Sequence, residues 1–405
     1  MKQRILVLAL FGALAASSAY GSGYRIPEQS INSIALANAY VANTQDADTS
    51  YFNPANMSWF ESGWRIDAEL MYIHLPQIGY SGNYMSGAAN GDSLAEDFIL
   101  PVFYAVSPEV NNFRIGFSLT YPAGLSKRWD EAPQRITAED FTLTTTEFNP
   151  TISYRFCDIF SAAVGVRAVY ADGEVRSEYY PAPGVSIQRD LEGDTMDYGY
   201  NLAITAKPNS NITFAVTYRS KVKLHLEGNA DIIDTTTATN YSGYAEVEVP
   251  VPAVLTVGTS YRFENTTLEL VYDKTYWNTY DKLDFNYSES LASFDAAVPK
   301  HWSNTNAFRI GLTHKCNDNL TAMVGFAIEG NPIPDSTLGY ELPDSDGTAY
   351  SFGFKYKLKD RLNVGAAYLF EDKDKRTVDQ GASGIQGTFS DGGAHLFNIG
   401  VNYRF

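Results

Sequence analysis

Cysteine and histidine are scarce in this chain, which has only two cysteines and five histidines among 405 residues. Cys157 and Cys316 each fall in a predicted tight turn, on opposite sides of the chain's predicted architecture, so we expect no disulfide between them. The histidines are scattered, at His74, His225, His301, His314 and His395. Their spacing matches neither a metal site nor a Ser-His catalytic arrangement, so the sequence predicts no metal, no cofactor and no enzyme.

Basic residues are also few relative to acidic residues. The chain has 30 lysines and arginines against 47 aspartates and glutamates, which gives a formal net charge of −17. Because nucleic-acid binding requires a basic face, this balance excludes DNA and RNA as expected partners. Charged residues make up only 19% of the chain and aromatic residues 14%. A soluble domain usually carries about a quarter charged residues, so this composition favours a different class of protein.

Long hydrophobic runs are missing after the first residues. Lys2 and Arg4 precede an apolar run over Ile5–Ala16, and small residues follow it. This pattern predicts a secretory signal peptide over residues 1–21, cleaved before Ser22 or, alternatively, after Ala19. The run is too short to span a membrane as a helix, and no later window is long and apolar enough to do so. The sequence therefore predicts an exported protein without a helical anchor.

Strict alternation of side-chain character dominates the rest of the chain. In the last eleven residues one face holds His395, Phe397, Ile399, Val401, Tyr403 and Phe405, and the other holds Leu396, Asn398, Gly400, Asn402 and Arg404. The same period of two recurs around residues 113–120, 212–219, 320–329 and 350–357. One apolar face and one small or polar face are expected when lipid lies outside and a lumen inside. We therefore expect residues 61–405 to form an all-β, transmembrane antiparallel barrel that contacts outer-membrane lipid and lipopolysaccharide.

Turn lengths divide into two classes along the barrel segment. Short polar turns alternate with long connections, which are predicted at about residues 76–96, 123–140, 173–193, 229–245, 287–303, 331–347 and 373–393. Short turns on one rim and long loops on the other are typical of the periplasmic and extracellular sides of bacterial barrels. Counting between the connections gives about fourteen strands, an even number that leaves both termini periplasmic.

Residues 22–60 precede the first strand and show no β alternation. They contain a short helical stretch around residues 31–40 and many apolar residues, which are rare in disordered tails. We expect this segment to plug the lumen as a hatch, and the alternative is a disordered periplasmic tail. Inward parity also predicts charged side chains in the lumen, at Arg65, Asp67, Glu69, Arg167, Arg219, Arg262, Glu269 and Asp273. Buried charges need partners, so these should pair between wall and plug, stabilising the barrel rather than serving transport.

Several short motifs occur in an order that carries a family resemblance. They are Asn53-Pro54-Ala55, Asn149–Tyr154, Gly199–Leu202, Tyr218–Lys223, Trp277–Tyr280, and Pro332–Pro334 followed by Pro343–Asp346. The mature chain resembles the FadL-type outer-membrane transporters of long-chain fatty acids, whose relatives include channels for toluene and other hydrocarbons. The resemblance implies a fourteen-stranded barrel, a hatch containing Asn53, Pro54 and Ala55, and ligand-gated passive uptake of hydrophobic compounds. The terminal Phe405 also resembles the signal that the barrel-assembly machinery reads, which makes that machinery an expected partner.

The resemblance further implies a sideways exit through the barrel wall. In this family the opening lies at a kink in the third strand, which matches Tyr121-Pro122-Ala123-Gly124 here. Pro122 has no N–H to give to a β-ladder and Gly124 tolerates a bend, so the residue chemistry agrees with an interrupted strand. The alternative is that Pro122 simply ends the strand at a loop.

Carboxylate recognition is a separate expectation from the same resemblance. The family uses basic residues inside the barrel, and the nearest basic groups here are Arg176 and Lys282. They lie one and two residues away from the matching positions, which hold Ser177 and Asp284. Arg176, Ser177 and Lys282 are therefore candidates for carboxylate binding, while uptake of neutral aromatic hydrocarbons stays open. A general diffusion porin and an adhesin or purely structural barrel are the remaining alternatives.

Overall fold

The barrel wall accounts for most of the described chain. The computed structural model describes residues 23–84, 87–291 and 294–405, so the predicted signal peptide lies outside it. The wall strands are β1 Arg65–Leu75, β2 Glu96–Val106, β3 Phe113–Thr120 with Gly124–Arg128, β4 Asp140–Arg155, β5 Phe160–Ala182, β6 Val185–Ala206, β7 Ile212–Arg219 with Val222–Asp234, β8 Thr239–Val251 with Val254–Phe263, β9 Thr266–Thr275, β10 Thr305–Lys315, β11 Leu320–Glu329, β12 Gly347–Lys359, β13 Leu362–Lys373 and β14 Gly393–Arg404.

These strands form one sheet that closes on itself. Each strand pairs antiparallel with the next, and β14 pairs with β1 so that Tyr72 stands opposite Phe397. Closure provides backbone partners that an open sheet edge would lack in a bilayer. The predicted fourteen-stranded antiparallel barrel is confirmed.

The outer surface of the wall is apolar, as the alternation predicted. On β12, Tyr350, Phe352 and Phe354 point outward and are roughly half exposed, while the intervening Ser351 is buried. Lipid tails are the environment in which such a face is stable. Within the described residues, no helix has the length and apolar character needed to cross a membrane.

Shorter elements cover the long-loop rim. They are the strands Gly79–Tyr84, Gly87–Ala88, Gly91–Asp92, Lys282–Leu283, Phe285–Tyr287, Val298–Pro299, Arg376–Val378 and Ile385–Ser390, one α-helix at Arg135–Ala138, and 3-10 turns at Trp277–Thr279, Asp335–Thr337 and Ala382–Gly384. The opposite rim has only short turns.

Two of the predicted long loops are wrong. Residues 173–193 and 229–245 lie mostly in β5, β6, β7 and β8, which continue as hairpins to tight reversals at residues 183–184 and 235–238. Alternation persists there, because Val175, Leu191 and Ile232 remain buried on the inner face. The outer face carries charged residues in place of apolar ones, since it lies beyond the lipid band. These segments were predicted as loops because their outer face lacks apolar residues, although the strands themselves continue.

Residues 24–60 fill the lumen near the short-turn rim. They form helix α1 Ile31–Ala35, helix α2 Thr49–Phe52 and a 3-10 helix at Pro54–Trp59, and nearly all of their side chains are buried. The helix predicted over residues 31–40 is too long. It ends at Ala35 because Ala37 and Asn38 adopt φ values of 46° and 58°, which no right-handed helix accommodates. We call residues 24–60 the hatch.

Candidate transport site

The third strand is interrupted where Pro122 falls. Thr120 stands opposite Glu147 and Gly124 stands opposite Thr144, so three residues of β3 face only two of β4. This extra residue is a β-bulge, which bends the strand and leaves backbone groups unpaired. Because β3 resumes at Gly124, Pro122 interrupts the strand and does not end it.

The interruption coincides with a gap in the ladder between β2 and β3. These strands pair only from Phe103 to Val106, although β2 pairs with β1 along its whole length. Beyond the gap, Arg128 rejoins the strands through bonds to Glu96 and through its carbonyl, which accepts from the N–H of Leu94 at 2.8 Å. The described wall therefore has a gap between β2 and Gly124–Arg128, which we call the upper segment of β3. The paired residues Phe103–Val106 bound the gap at one end, and the contacts of Arg128 bound it at the other.

The start of the hatch packs against this interruption. The N–H of Ile26 donates to the carbonyl of Pro122 at 3.0 Å, and the N–H of Gly124 donates to the carbonyl of Tyr24 at 2.9 Å. The hatch thus satisfies the backbone groups of Pro122 and Gly124, while Thr145 of β4 bonds the backbone of Ala123 between them. Two backbone hydrogen bonds therefore hold the start of the hatch against the interrupted part of β3.

The motif residues Asn53, Pro54 and Ala55 form a turn deep in the lumen. Asn53 Nδ2 donates to the carbonyl of Val41 at 2.7 Å and to Thr205 Oγ1 at 2.9 Å, and its Oδ1 accepts from the N–H of Ala55 at 3.2 Å. Pro54 begins the 3-10 helix, where a missing N–H has no cost. The asparagine therefore joins two segments of the hatch to β6.

Charged side chains of the wall meet the hatch from several strands. Glu147 lies between Arg167 and Arg219, and the Arg219 guanidinium sits 4.2 Å from the ring centre of Tyr51 in the hatch. On the other side, Asp273 accepts from Arg309 at 3.2 Å and lies 3.5 Å from Arg25. Each of these charges has an oppositely charged partner, which is the condition for tolerating it away from bulk water.

Glu269 and Arg262 have different environments although both were expected in the lumen. Glu269 is buried and accepts hydrogen bonds from the N–H groups of Val41, Ala42 and Asn43. Arg262 is exposed at the short-turn end of β8, so its expected place inside the lumen is wrong. Parity identifies the face of a strand that a residue occupies but not its depth, which explains the error.

An inner cavity of about 260 Å³ lies beside the gap. Its walls are mainly apolar and include Ile73, Leu75, Phe98, Leu100, Leu143 and Leu396. Tyr121, Ala123 and Gly124, the residues at which β3 is interrupted, also line it. The cavity therefore borders the interruption of β3.

A smaller outer cavity, of about 70 Å³, lies towards the long-loop rim, and Tyr24 borders both cavities. Its lining includes a buried ion pair between Lys300 and Glu341, two residues of the rim loops. Burial opposes charge on both groups, but each partner more than offsets this effect. The pKa of Lys300 is therefore raised and the pKa of Glu341 lowered from their ordinary values.

The predicted carboxylate site is not assembled. Arg176 is exposed and pairs with Glu174 and Asp190, while Lys282 is exposed and pairs with Asp284. Ser177 is half-buried on β5 opposite Arg189. None of the three lines either cavity in the described chain, so this expectation is corrected. A one-residue offset along a strand turns a side chain to the opposite face, which accounts for Arg176.

Sequence reasoning missed four residues that the structure places at the cavities and the kink: Tyr24, Gln29, Lys127 and Lys300. Lys127 could have been identified from the sequence, because it lies three residues beyond Gly124 and alternation places it on the same face of the strand as Leu125. Tyr24 and Gln29 had none, since the hatch lacks the regular period from which contacts can be inferred.

A closed barrel with a lipid-facing exterior, a filled lumen and apolar cavities beside a wall gap defines a transport channel for hydrophobic molecules. The family model described as outer membrane protein transport protein (OMPP1/FadL/TodX) matches residues 12–405. The chain belongs to this family. Its members are transport channels and not enzymes, and the protein is located in the outer membrane, so the short-turn rim is periplasmic.

Similar proteins agree with this assignment. The long-chain fatty acid transport protein of Escherichia coli K12 is 26% identical, with 98% of each chain aligned. The crystal structure of a Pseudomonas aeruginosa FadL homologue superposes with a TM-score of 0.86 at 19% identity, covering 95% of this chain and all of that one. The toluene transporter TbuX of Ralstonia pickettii gives a TM-score of 0.70 at 16% identity, covering 93% and 98%.

Proposed function

We propose that this protein takes up long-chain fatty acids by ligand-gated passive diffusion. A ligand would enter the outer cavity, pass Tyr24 into the inner cavity, and leave sideways between β2 and β3. The observation that carries the proposal is that the inner cavity is lined by Tyr121, Ala123 and Gly124, the residues at which β3 is interrupted and its ladder with β2 is broken.

Lateral exit follows from the energetics of an acyl chain. Each methylene group buried in hydrocarbon gains about 0.8 kcal/mol, so transfer from an apolar cavity directly into the membrane avoids the cost of exposing the chain to water. The hatch also obstructs the straight path, because its Ser58 and Trp59 bond to Ser153 and Ser161 near the periplasmic rim. Movement of the hatch at Tyr24 and Ile26 would couple ligand binding to the gap.

Uptake of neutral aromatic hydrocarbons is the second candidate. The largely apolar lining of both cavities and the similarity to a toluene transporter favour it. A general diffusion porin is disfavoured, because its lumen would need an open aqueous path where this hatch is packed against the wall. Competition between palmitate and toluene for the purified protein distinguishes the two candidates.

The lateral route is tested by sealing the gap. Deleting Ala123 removes the extra residue of β3 and lets the strand pair with β4 without a bulge. We expect this variant to bind labelled palmitate but to lose most of its uptake into proteoliposomes. A matched control deletes Ala238, which is one residue at the exposed tip of the β7–β8 hairpin. Palmitate uptake by the Ala123 deletion at the rate of the control would exclude the lateral route.

A further inference from the structure

We propose that Lys127 binds the carboxylate head of an anionic amphiphile in the inner cavity, an inference that rests on the proposed function. Lys127 lies on the upper segment of β3, opposite Phe141 and on the same inward face as Leu125. Its side chain is almost completely buried and lines the inner cavity. The residue therefore places an ammonium group between the apolar walls and the gap.

This ammonium group has no carboxylate of its own. Its Nζ donates to Ser93 Oγ at 3.3 Å, and in the described part of the chain no carboxylate lies within salt-bridge distance. The nearby Glu96 is bonded through both oxygens by the guanidinium of Arg128. Glu96 is therefore already engaged by Arg128, and the Lys127 ammonium has no ion-pair partner among the described residues.

The other cations that line the cavity are matched. Arg25 lies 3.5 Å from Asp273, and Lys373 lies 3.0 Å from Asp344 and 2.9 Å from Glu371. A buried charge without a counter-ion is costly, so Lys127 marks the place where a bound anion would be stabilised most. One unpaired ammonium group matches the single charge of a monoanion.

The surroundings of Lys127 select the rest of the ligand. Phe98, Leu100 and Ile73 line the same cavity and supply apolar contacts for a hydrocarbon chain. A ligand with a charged head beside Lys127 and a hydrocarbon tail along these residues would fit the cavity. A monocarboxylate amphiphile has both parts, whereas toluene and other neutral hydrocarbons lack the charged head. Lys127 would then determine which hydrophobic molecules the protein binds, taking the place that Arg176 and Lys282 were expected to fill.

The test compares two ligands that share a sixteen-carbon chain and differ in the head, palmitate and hexadecanol. Binding of each labelled ligand is measured in detergent at about pH 7, where a carboxylic acid is ionised and an amine is protonated, for the wild type, Lys127→Met and Lys127→Arg. We expect the methionine variant to bind palmitate about 10- to 100-fold more weakly, as for a lost charge-assisted hydrogen bond, and to bind hexadecanol as the wild type does. The arginine variant should retain most of the palmitate affinity.

Lys223→Met is the matched control, because Lys223 is exposed on the outer face, pairs with Glu248, and like Glu248 lines neither cavity. Heat-modifiable gel mobility reports barrel folding, and Lys127→Gln replaces the methionine variant if that variant does not fold. Unchanged palmitate binding, or an equal loss of both ligands, would overturn the inference. If Lys127→Met loses only palmitate while the Ala123 deletion still transports, the lateral route fails and the head-group site stands.

Discussion

The side chain of Gln29 bonds both backbone groups of Tyr121: Nε2 donates to the carbonyl oxygen at 2.9 Å, and Oε1 accepts from the N–H at 2.8 Å. Tyr121 opens the interruption of β3, where the bulge leaves its backbone without a strand partner. The carbonyl of Gln29 in turn accepts from the hydroxyl of Tyr104 on β2. One glutamine of the hatch therefore joins both sides of the wall gap.

Replacing Gln29 should loosen the interruption of β3. Gln29→Ala leaves two partly buried backbone groups of Tyr121 unsatisfied, and each such group costs about 1–3 kcal/mol. We expect faster amide hydrogen exchange at residues 24–29 and 121–124, with Gln29→Glu intermediate because it keeps only the acceptor. Gln45→Ala is the control, since the Gln45 side chain bonds only Asn43 within the hatch. Equal exchange in both alanine variants would contradict the coupling.

Asn53 should determine how firmly the hatch is closed. Asn53→Asp keeps an oxygen to accept from Ala55 but loses both donated bonds, and it sets a carboxylate against the carbonyl of Val41. We expect intermittent opening of the lumen, which single-channel recordings in planar bilayers would detect as ion-conducting bursts. Asn43→Asp is the matched control, because the Asn43 side chain is half-buried and only accepts a bond from Gln45. Silent recordings from Asn53→Asp would show that other contacts suffice.

The barrel could be predicted from the sequence because its physical cause is local. A strand between lipid and lumen must alternate, so Tyr350, Phe352 and Phe354 identify the wall without any knowledge of their neighbours. The resemblance located the interruption at Tyr121–Gly124 for a similar reason, since the lack of an N–H in Pro122 is a property of that residue alone.

The contacts of the hatch could not be predicted in this way. Gln29 and Tyr121 are separated by 92 residues, and no periodicity relates them. Alternation also gives no information on how deep inside the barrel a residue lies, which is why Arg262 was expected in the lumen. The carboxylate candidates Arg176 and Lys282 were carried over from a family position and not from a spatial argument. The environment of Lys127 became visible only when β2, β3 and the hatch were brought together.

Glu269 should stabilise the hatch by accepting hydrogen bonds from backbone N–H groups of the hatch. Its carboxylate accepts from Val41 at 2.7 Å, Ala42 at 2.5 Å and Asn43 at 3.1 Å, an arrangement that suits an anion. Glu269→Gln directs an amide NH₂ at part of this cluster of donors, so we expect a loss of about 2 kcal/mol or more in the free energy of unfolding. Urea titration in detergent micelles would measure it. Glu264→Gln, at an exposed turn, should leave the free energy unchanged.

The buried pair of Lys300 and Glu341 gives a prediction with a defined pH dependence. Because the pKa of Glu341 is lowered, its contribution is complete above the ordinary glutamate value and is lost only as the pH falls through the lowered one. The pKa of Lys300 is raised, so its contribution is complete below the ordinary lysine value and is lost as the pH rises through the raised one. Protection of the loop over residues 330–346 from proteolysis should therefore stay constant from roughly pH 5 to 9.

Removing one partner should change that profile. Glu341→Gln leaves the Lys300 ammonium buried without a counter-ion, which costs about 3–5 kcal/mol and lowers the pKa of this lysine in the folded loop. Proteolysis of the variant at pH 7 should then be faster than that of the wild type and should slow as the pH rises and Lys300 loses its proton. Lys300→Met combined with Glu341→Gln should restore protection and abolish the dependence, because no buried charge remains. Asp318→Asn, which breaks an exposed pair with Lys315, is the control. A flat profile for Glu341→Gln would mean that the loop is held by its apolar contacts alone.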